Sequence, residues 1–222
     1  MAVTLSLGAW QMSRAAGKLA LQAAIEQRKA MAPIDGAAVL AGSAAELLHR
    51  PVVLRGTWVP RHTVFLDNRQ LGGKPGFYVV TPLQLAGSHA AVLVERGWVQ
   101  RNFTDREKLP PVPTPAGLVE VAGRLAPPPA KLYEFAGAGS GPIRQNLDLA
   151  QFRAETGLAL LEFAMQQAGS PSEGLLRDWP EPASGVEKHY GYAFQWWALS
   201  GVIAFLYAWF QFITPRRKRH RA

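Results

Sequence analysis

The longest uncharged stretch of the chain lies near its C-terminal end and covers residues 190–214. A helix of this length, at about 1.5 Å per residue, exceeds the roughly 30 Å hydrocarbon core of a bilayer. Lys188 and His189 precede the stretch, and a run of basic residues, 216–221, follows it. Short flanks rich in Lys and Arg stay on the cytoplasmic side of a membrane. We therefore predict a transmembrane helix over residues 188–214 and a basic cytoplasmic tail over residues 215–222.

Residues 1–13 are also uncharged and mostly apolar. As a helix they cover only about 20 Å, which is too short to cross a bilayer. We predict that they form the outer part of a first transmembrane helix whose beginning is missing from the sequence; a short helix lying in the membrane interface is the alternative. Arg14 and Lys18 mark the exit from the membrane. A juxtamembrane helix is predicted over residues 14–32, ending before Pro33.

The pattern between the two apolar ends is typical of β-strands. Runs rich in β-branched and aromatic residues are separated by Gly, Pro, Asn and Asp, and they cover residues 52–59, 63–68, 77–83, 90–99, 118–125 and 158–166. Short connections between them favour antiparallel neighbours. Ser43 with Glu46, and Asp148 with Gln151, predict the starts of two short helices. Gly97, inside a predicted strand, indicates a bulge or a close backbone approach.

The fold class that follows is an α+β membrane protein. Two transmembrane helices, the first one truncated, flank an antiparallel β-rich domain over residues 33–187 that lies outside the cytoplasm. Two proline clusters, residues 110–115 and 127–129, are interpreted as stiff connectors inside this domain, and residues 169–185 as a polar connector back to the membrane.

Composition changes this picture little. The net charge is +8, but the run at 216–221 holds five of the 24 Lys and Arg, which leaves 19 basic residues against 16 acidic ones. The basic balance is therefore mainly a topology signal, and we expect membrane lipid rather than nucleic acid as a partner. The absence of cysteine excludes disulfides, thiolate metal sites and cysteine nucleophiles.

The last helix carries a stripe of small residues, with Ser200, Ala204 and Ala208 at helical spacing and Ala193 and Gly201 beside them. Small side chains allow a second helix to approach closely, so the stripe is predicted to contact the first helix or a partner protein. His189 lies one turn before Ala193. Its neutral imidazole can bind a metal or haem iron, or it can simply be a satisfied residue at the headgroup level.

Other candidate sites are weaker. The glycine-rich segment 137–142 lacks the phosphate-loop pattern and is interpreted as a flexible loop. His49, His62 and His89 are isolated in the sequence, which argues against a zinc site. No GxSxG nucleophile motif is present. With no acid–base constellation, we expect that the protein is not an enzyme.

Four segments stand together in order and spacing: GAWQMSR at residues 8–14, Asn68-Arg69 with GFYVVTPL at 76–83, VLVERGWV at 92–99, and KHYGYAFQWW at 188–197. In this combination the chain closely resembles the Surfeit locus protein 1 family, membrane proteins of cytochrome c oxidase biogenesis. The resemblance covers nearly the whole chain. It departs at the short first helix and at Glu95, where an Asn or similar residue is common in the family.

The resemblance implies a domain in the periplasm or intermembrane space that takes part in delivering haem a to oxidase subunit I. The family's candidate haem ligand is the histidine at the start of the second helix, here His189. Haem a is apolar and carries two propionates, so a carrier needs aromatic walls and nearby cations. Tyr190, Trp196 and Trp197 are predicted to form the wall, and Arg14 or Lys188 to pair with the propionates. We further expect the strand at Gly97 to direct Trp98 toward the membrane face.

The sequence therefore predicts a non-enzymatic assembly factor that binds haem a and assists its insertion into subunit I, with haem a synthase as a second partner. The alternative is a membrane-anchored scaffold that binds subunit I without a cofactor. A haem enzyme would need a distal polar group, which the sequence does not identify. The predicted location is the bacterial inner membrane, multi-pass, with the central domain periplasmic and the tail cytoplasmic.

Overall fold

The computed structural model describes residues 1–105, 107–133, 139, 141–180 and 185–213. The predicted basic tail, residues 215–222, and part of the glycine-rich segment 137–142 lie outside the described residues. The chain forms two compact units. One contains Met1–Glu26 together with the residues after 180, and the other is Gln27–Pro180.

The described residues form five α-helices. They are α1, Ala2–Lys29; α2, Gly36–Ala41; α3, Ala44–Leu47; α4, Leu149–Thr156; and α5, Val186–Ala208, which a π-helical turn, Trp209–Ile213, continues. A short 3-10 turn, Pro60–His62, follows the first strand. Helix α1 runs without a break past Arg14 and ends before Pro33, as predicted for the second part of this segment.

One helix of the described residues, Val186–Gln211, is long and apolar enough to cross a membrane. It matches the predicted C-terminal span and begins two positions earlier. The other long helix, α1, has 28 residues and carries Arg14 and Lys18 near its middle. A second transmembrane helix therefore stays a prediction.

The caps of the short helices agree with the sequence patterns. Ser43 and Glu46 form the predicted capping box at α3, with Glu46 Oε2 3.3 Å from the Ser43 backbone nitrogen. The Asp148 carboxylate accepts from the backbone nitrogens of Ala150 and Gln151 at the start of α4. Helix α2 was not predicted, although Asp35 caps it in the same way.

Seven strands are present in the described residues: β1, Pro51–Trp58; β2, Val64–Leu71; β3, Lys74–Leu85; β4, Ala90–Gln100; β5, Leu118–Ala126; β6, Ile143–Arg144; and β7, Ala159–Gln167. Six of them match the predicted strands within a few residues. The two-residue strand β6 was missed, because so short a segment carries no periodicity.

The prediction of an antiparallel sheet was wrong in part, because the sheet is mixed. Its order is β1-β5-β7-β4-β3-β2-β6, and β4–β7 and β2–β6 are parallel pairs. Strands β4 and β7 are separated by a long connection that contains β5, β6 and α4. A connection of that length permits a parallel neighbour, whereas the short ones between β1 and β4 produce antiparallel pairs.

The sheet closes on itself because β1 also pairs with β3, at Gly56–Trp58 opposite Leu83–Leu85. The ring β1-β5-β7-β4-β3 thus encloses an apolar interior. Its buried members include Val52, Leu54, Trp58, Leu83, Leu85, Val92, Val94, Val121, Leu125, Phe163 and Met165. A second cluster, with Leu66, Leu93 and Leu147 among its buried members, contains Phe152 of α4. Burial of these side chains provides the main stabilisation of the domain.

Strand β4 has the predicted irregularity at Gly97. The register with β3 shifts there, since Val79 is opposite Gly97 and Val80 is opposite Glu95. A Cβ at position 97 would lie 2.7 Å from both the Leu175 Cβ and the Leu176 carbonyl oxygen. The close backbone approach predicted from the sequence is therefore confirmed, and its partner is the connector after β7.

The bulge residue, Arg96, is completely buried. Its guanidinium donates to Thr114 Oγ1, the Pro113 carbonyl and Glu173 Oε2, each at 2.7 Å. It also lies 4.9 Å from the centroid of the Trp58 ring. Arg96 thus holds the first proline connector and the segment after β7 against the same strand.

Trp98 does not point to a membrane face. Its side chain is 5% exposed, and Nε1 donates to the Arg69 carbonyl at 2.8 Å inside the domain. The backbone of Trp98 pairs with Leu176 in both directions, at 2.7 and 2.8 Å. The reason is that the segment after β7, predicted to be a polar connector, packs back on β4 and buries Leu175.

Candidate functional site

The predicted small stripe on α5 contacts α1 in its first part, whereas Ala208 at its end is exposed. Ala193 and Ser200 are buried, and the Ser200 hydroxyl lies 2.5 Å from that of Thr4. One turn further along α1, a Cβ at Gly8 would lie 2.1 Å from Nε1 of Trp197. The indole therefore occupies the space that the missing side chain leaves. Of the two contacts predicted for the stripe, the one with the first helix is present.

The same pair of helices positions His189, which lies in the first turn of α5 and is half-buried. Its Nδ1 is 2.7 Å from Oε1 of Gln11 on α1. An amide oxygen only accepts hydrogen bonds, so Nδ1 carries the hydrogen. In the neutral ring the lone pair is then on Nε2, which is the form of histidine that binds metals.

The predicted aromatic wall lies on the same helix. Trp196 and Trp197 follow His189 by seven and eight residues, so at about 100° per residue they lie two turns below it, within about 80° of its direction. Trp196 is half-buried and Trp197 is 44% exposed. Tyr190 is 43% exposed and is rotated from His189 by about 100°. Trp196 therefore lies on the histidine's side of the helix, whereas Trp197 and Tyr190 lie within about 20° of each other on an adjacent side.

The predicted cations lie at the same end of the helix pair. Arg14 is exposed and one turn beyond Gln11 on α1, and Lys188 is exposed and adjacent to His189. Lys18 was predicted to mark the exit from the membrane but not to belong to the site; its Nζ lies 3.5 Å from the position that a Cβ on Gly185 would take, at the start of α5. Three cations thus flank the first turn of α5.

Gln11 is the site residue that sequence reasoning missed. It is the one polar amide in the apolar segment 1–13, and a polar side chain in such a segment indicates a specific partner. That signal was available, but the partner on α5 was not, because the register between the helices is a tertiary property.

Many large apolar side chains of α5, and of the π-helical turn that continues it, are exposed. The exposed ones include Tyr192, Phe194, Leu199, Val202, Phe205, Leu206, Tyr207 and Phe210. Such a surface suits the lipid of a bilayer, whose apolar chains it would contact directly. The helix therefore has one face for α1 and another for lipid.

The β domain contains an unusual buried carboxyl, that of Glu95 on β4. Burial raises the pKa of Glu95 to about 7, even though Gln166 donates to its Oε2 at 2.8 Å and Arg69 and Arg124 attract the charged form. Glu95 is one of the departures from the family pattern noted above. No group of three or more His, Cys, Asp or Glu suited to a metal occurs among the described residues, and His49, His62 and His89 are not brought together.

Several known proteins are similar in sequence to this chain. A SURF1-like protein of Drosophila melanogaster is 28% identical over 236 residues, which covers 97% of this chain and 75% of that protein. The cytochrome oxidase assembly protein SHY1 of Saccharomyces cerevisiae is 29% identical over 101 residues, 45% of this chain and 26% of its own length. A SURF1-like protein of Rickettsia felis is 30% identical over 109 residues, 48% of this chain and 44% of that protein. The SURF1 family model matches residues 1–201, and the chain therefore belongs to the SURF1 family.

Proposed function

We propose that this protein is a cytochrome c oxidase assembly factor that binds haem a and assists its insertion into subunit I. The assembly role is supported by family membership and by the similarity to a yeast protein named for oxidase assembly. The observation that carries the haem proposal is the 2.7 Å contact between His189 Nδ1 and Gln11 Oε1. This contact leaves Nε2 of a half-buried histidine with its lone pair.

The residues around His189 fit such a group in their chemistry. Haem supplies an iron that takes imidazole nitrogen as an axial ligand, and its propionates require cations. His189 would supply the nitrogen, Trp196 and Trp197 an apolar wall, and Arg14 or Lys188 the positive charge. Tyr190 is a second wall residue, since it lies within about 20° of Trp197 on the same side of α5.

Gln11 has a positioning role in this proposal. By accepting from Nδ1 it fixes the tautomer and the ring orientation of His189, as second partners of metal-binding histidines commonly do. The site lies on two packed helices, so its geometry depends on their close approach at Gly8. An exposed edge, rather than a closed cage, is what a protein that passes its cargo on requires.

The test is to purify the full-length protein from a host that makes haem a and to record reduced-minus-oxidised spectra. His189→Ala is expected to lose at least about tenfold in bound haem, while His89→Ala, an exposed histidine in the β domain, keeps the wild-type content. Gln11→Leu should reduce the amount of bound haem and shift its absorption bands. Gln11→Glu keeps a hydrogen-bond acceptor at this position, so its haem content and band positions should be close to those of the wild type.

Two outcomes would overturn the proposal. Unchanged loading in His189→Ala would remove this residue from the site. A wild-type protein that holds no haem a, yet is isolated together with subunit I, would support the scaffold alternative. The predicted partnership with haem a synthase and the bacterial inner-membrane location are part of the same proposal, with the β domain on the periplasmic side and the tail in the cytoplasm.

A further inference from the structure

The β domain contains a cavity of about 420 Å³ whose wall is rich in basic side chains. The ends of β5 and β7 and the connector after β7 form it, together with the end of α1. Its wall includes Lys29, His49, Arg124, Arg177 and the ring of Trp179. Among the described residues that line it, none is Asp or Glu.

The side chain of Arg177 is only 5% exposed. Its Nε donates to the Arg96 carbonyl at 3.0 Å and its Nη1 to the Ser170 carbonyl. Within the part of the chain that the structure describes, its Nη2 has no hydrogen-bond partner and forms only a long ion pair, 3.6 Å, with the carboxylate of Glu173. A buried donor without an acceptor is costly, and a ligand in the adjoining cavity is one way to satisfy it.

Arg124 is held in place from the inner side of the wall. Its Nε donates to Oε1 of Gln166 at 2.9 Å, and the amide nitrogen of Gln166 donates in turn to Glu95. This chain of contacts fixes the plane of the guanidinium and uses its Nε. No described residue forms a hydrogen bond with its two terminal nitrogens, and a planar pair of donors matches the oxygens of a phosphate.

His49 reports the electrostatics of the same cavity. Its backbone is in the left-handed region, with φ of 72°, and its backbone nitrogen donates to the Leu125 carbonyl at 2.8 Å. Its pKa is lowered, first by burial and then by the charges of Arg124, Arg28 and Lys29. The positive charge of the wall therefore already opposes a further proton.

We propose that this cavity binds a phosphate group, carried by a small molecule or by a lipid headgroup, with the apolar part of the ligand against Trp179. Several cations with no acidic residue in the wall favour a doubly charged group over a single carboxylate. This site is separate from His189 and does not depend on the proposed haem function, so either proposal can fail alone.

The test is calorimetric titration of the full-length protein in an uncharged detergent with three probes: inorganic phosphate, dihexanoyl phosphatidic acid and acetate. We expect phosphate and the short lipid to bind more tightly than acetate, which carries a single carboxylate, with affinity that falls as salt is raised. Arg124→Gln should weaken binding by about tenfold or more. Arg55→Gln, an exposed arginine on the neighbouring strand β1, should leave it within about twofold.

A second measurement does not depend on the fold of a variant. The imidazole of His49, followed by NMR in the wild-type protein, should titrate at a higher pH when phosphate is present, because the anion offsets the neighbouring cations. Binding of the lipid but not of phosphate would assign the headgroup as the source, and the reverse result a free phosphate compound. No binding of either, or equal losses in Arg124→Gln and Arg55→Gln, would overturn the proposal.

Discussion

Replacing Arg96 by methionine removes a guanidinium that is completely buried and that joins three parts of the β domain. Its hydrogen bonds to Thr114, Pro113 and Glu173 are all 2.7 Å long. Methionine retains an unbranched apolar stem of similar reach, so the substitution removes the charged donors and leaves little new space. The loss should therefore report the hydrogen bonds rather than a cavity.

The expected loss in the free energy of unfolding follows from the partners that remain. Breaking a buried ion pair by removing one partner costs about 3–5 kcal/mol when the other is left unpaired. Glu173 is 25% exposed and still lies 3.6 Å from Arg177, so its charge is partly compensated. We expect the lower end, about 3 kcal/mol, which at roughly 2–4 °C per kcal/mol lowers the Tm by about 6–12 °C.

The measurement is urea unfolding of the full-length protein in detergent, followed by far-ultraviolet circular dichroism. Arg96→Lys keeps the positive charge but not the several N–H donors of the planar guanidinium, so it should lower the free energy of unfolding by about 2 kcal/mol. Arg55→Met changes the same charge at an exposed position and should cost less than about 1 kcal/mol. If Arg96→Met also lowers the free energy of unfolding by less than about 1 kcal/mol, the hydrogen bonds of the buried guanidinium do not hold the two connectors in place.

Two further changes test other features. Gly8→Ile would place a side chain where the indole of Trp197 on α5 now lies, and should therefore separate the two helices. The hydroxyls of Thr4 and Ser200 lie 2.5 Å apart, so the yield of the disulfide formed by Thr4→Cys and Ser200→Cys should fall at least about fivefold when Gly8→Ile is added. An unchanged yield would contradict the helix contact. Burial raises the pKa of Glu95 from 4.5 to about 7. Between pH 4.5 and about 7 the folded protein therefore keeps a proton that the unfolded chain has released. The free energy of unfolding consequently falls as the pH rises through this range. Glu95→Gln should remove this slope and stabilise the protein at pH 8 by up to about 3 kcal/mol, whereas Glu120→Gln, exposed on β5, should keep the slope.

The positions of the strands could be predicted from the sequence, because each is a short β-branched or aromatic run between turn residues. Their pairing could not. The sequence pattern of β7 does not differ from that of the other strands, yet β7 inserts between β5 and β4, parallel to β4. The choice depends on which edges remain open after β1 to β5 have folded together, and that is a property of the assembled sheet.

The same limit applies to the buried charges. Glu95 and Arg96 are adjacent in sequence, and a charged pair in a strand usually indicates a solvated face. Here the shift in register at Gly97 and the segment that packs back on β4 bury both side chains. Neither the bulge partner, Leu175, nor the acceptor, Glu173, carries a local signal that points to β4.

The candidate site was predictable in its main residue and not in its geometry. His189 stands out as a histidine at the start of an apolar span, and the small stripe predicts a helix contact. That Gln11 orients the ring follows only from the register of two helices whose contacting residues are far apart in the chain.

The closed ring of strands has a consequence for the order of events during synthesis. Strand β7 is the last strand among the described residues, but it fills the gap between β4 and β5. Until residues 159–167 leave the ribosome, both of those strands have an open edge, and pairing with other chains is then a hazard. The span α5 follows soon after β7, so completion of the domain and insertion of the C-terminal helix take place close together in time. A nascent chain that stops before Ala159 is therefore expected to need a chaperone to stay soluble.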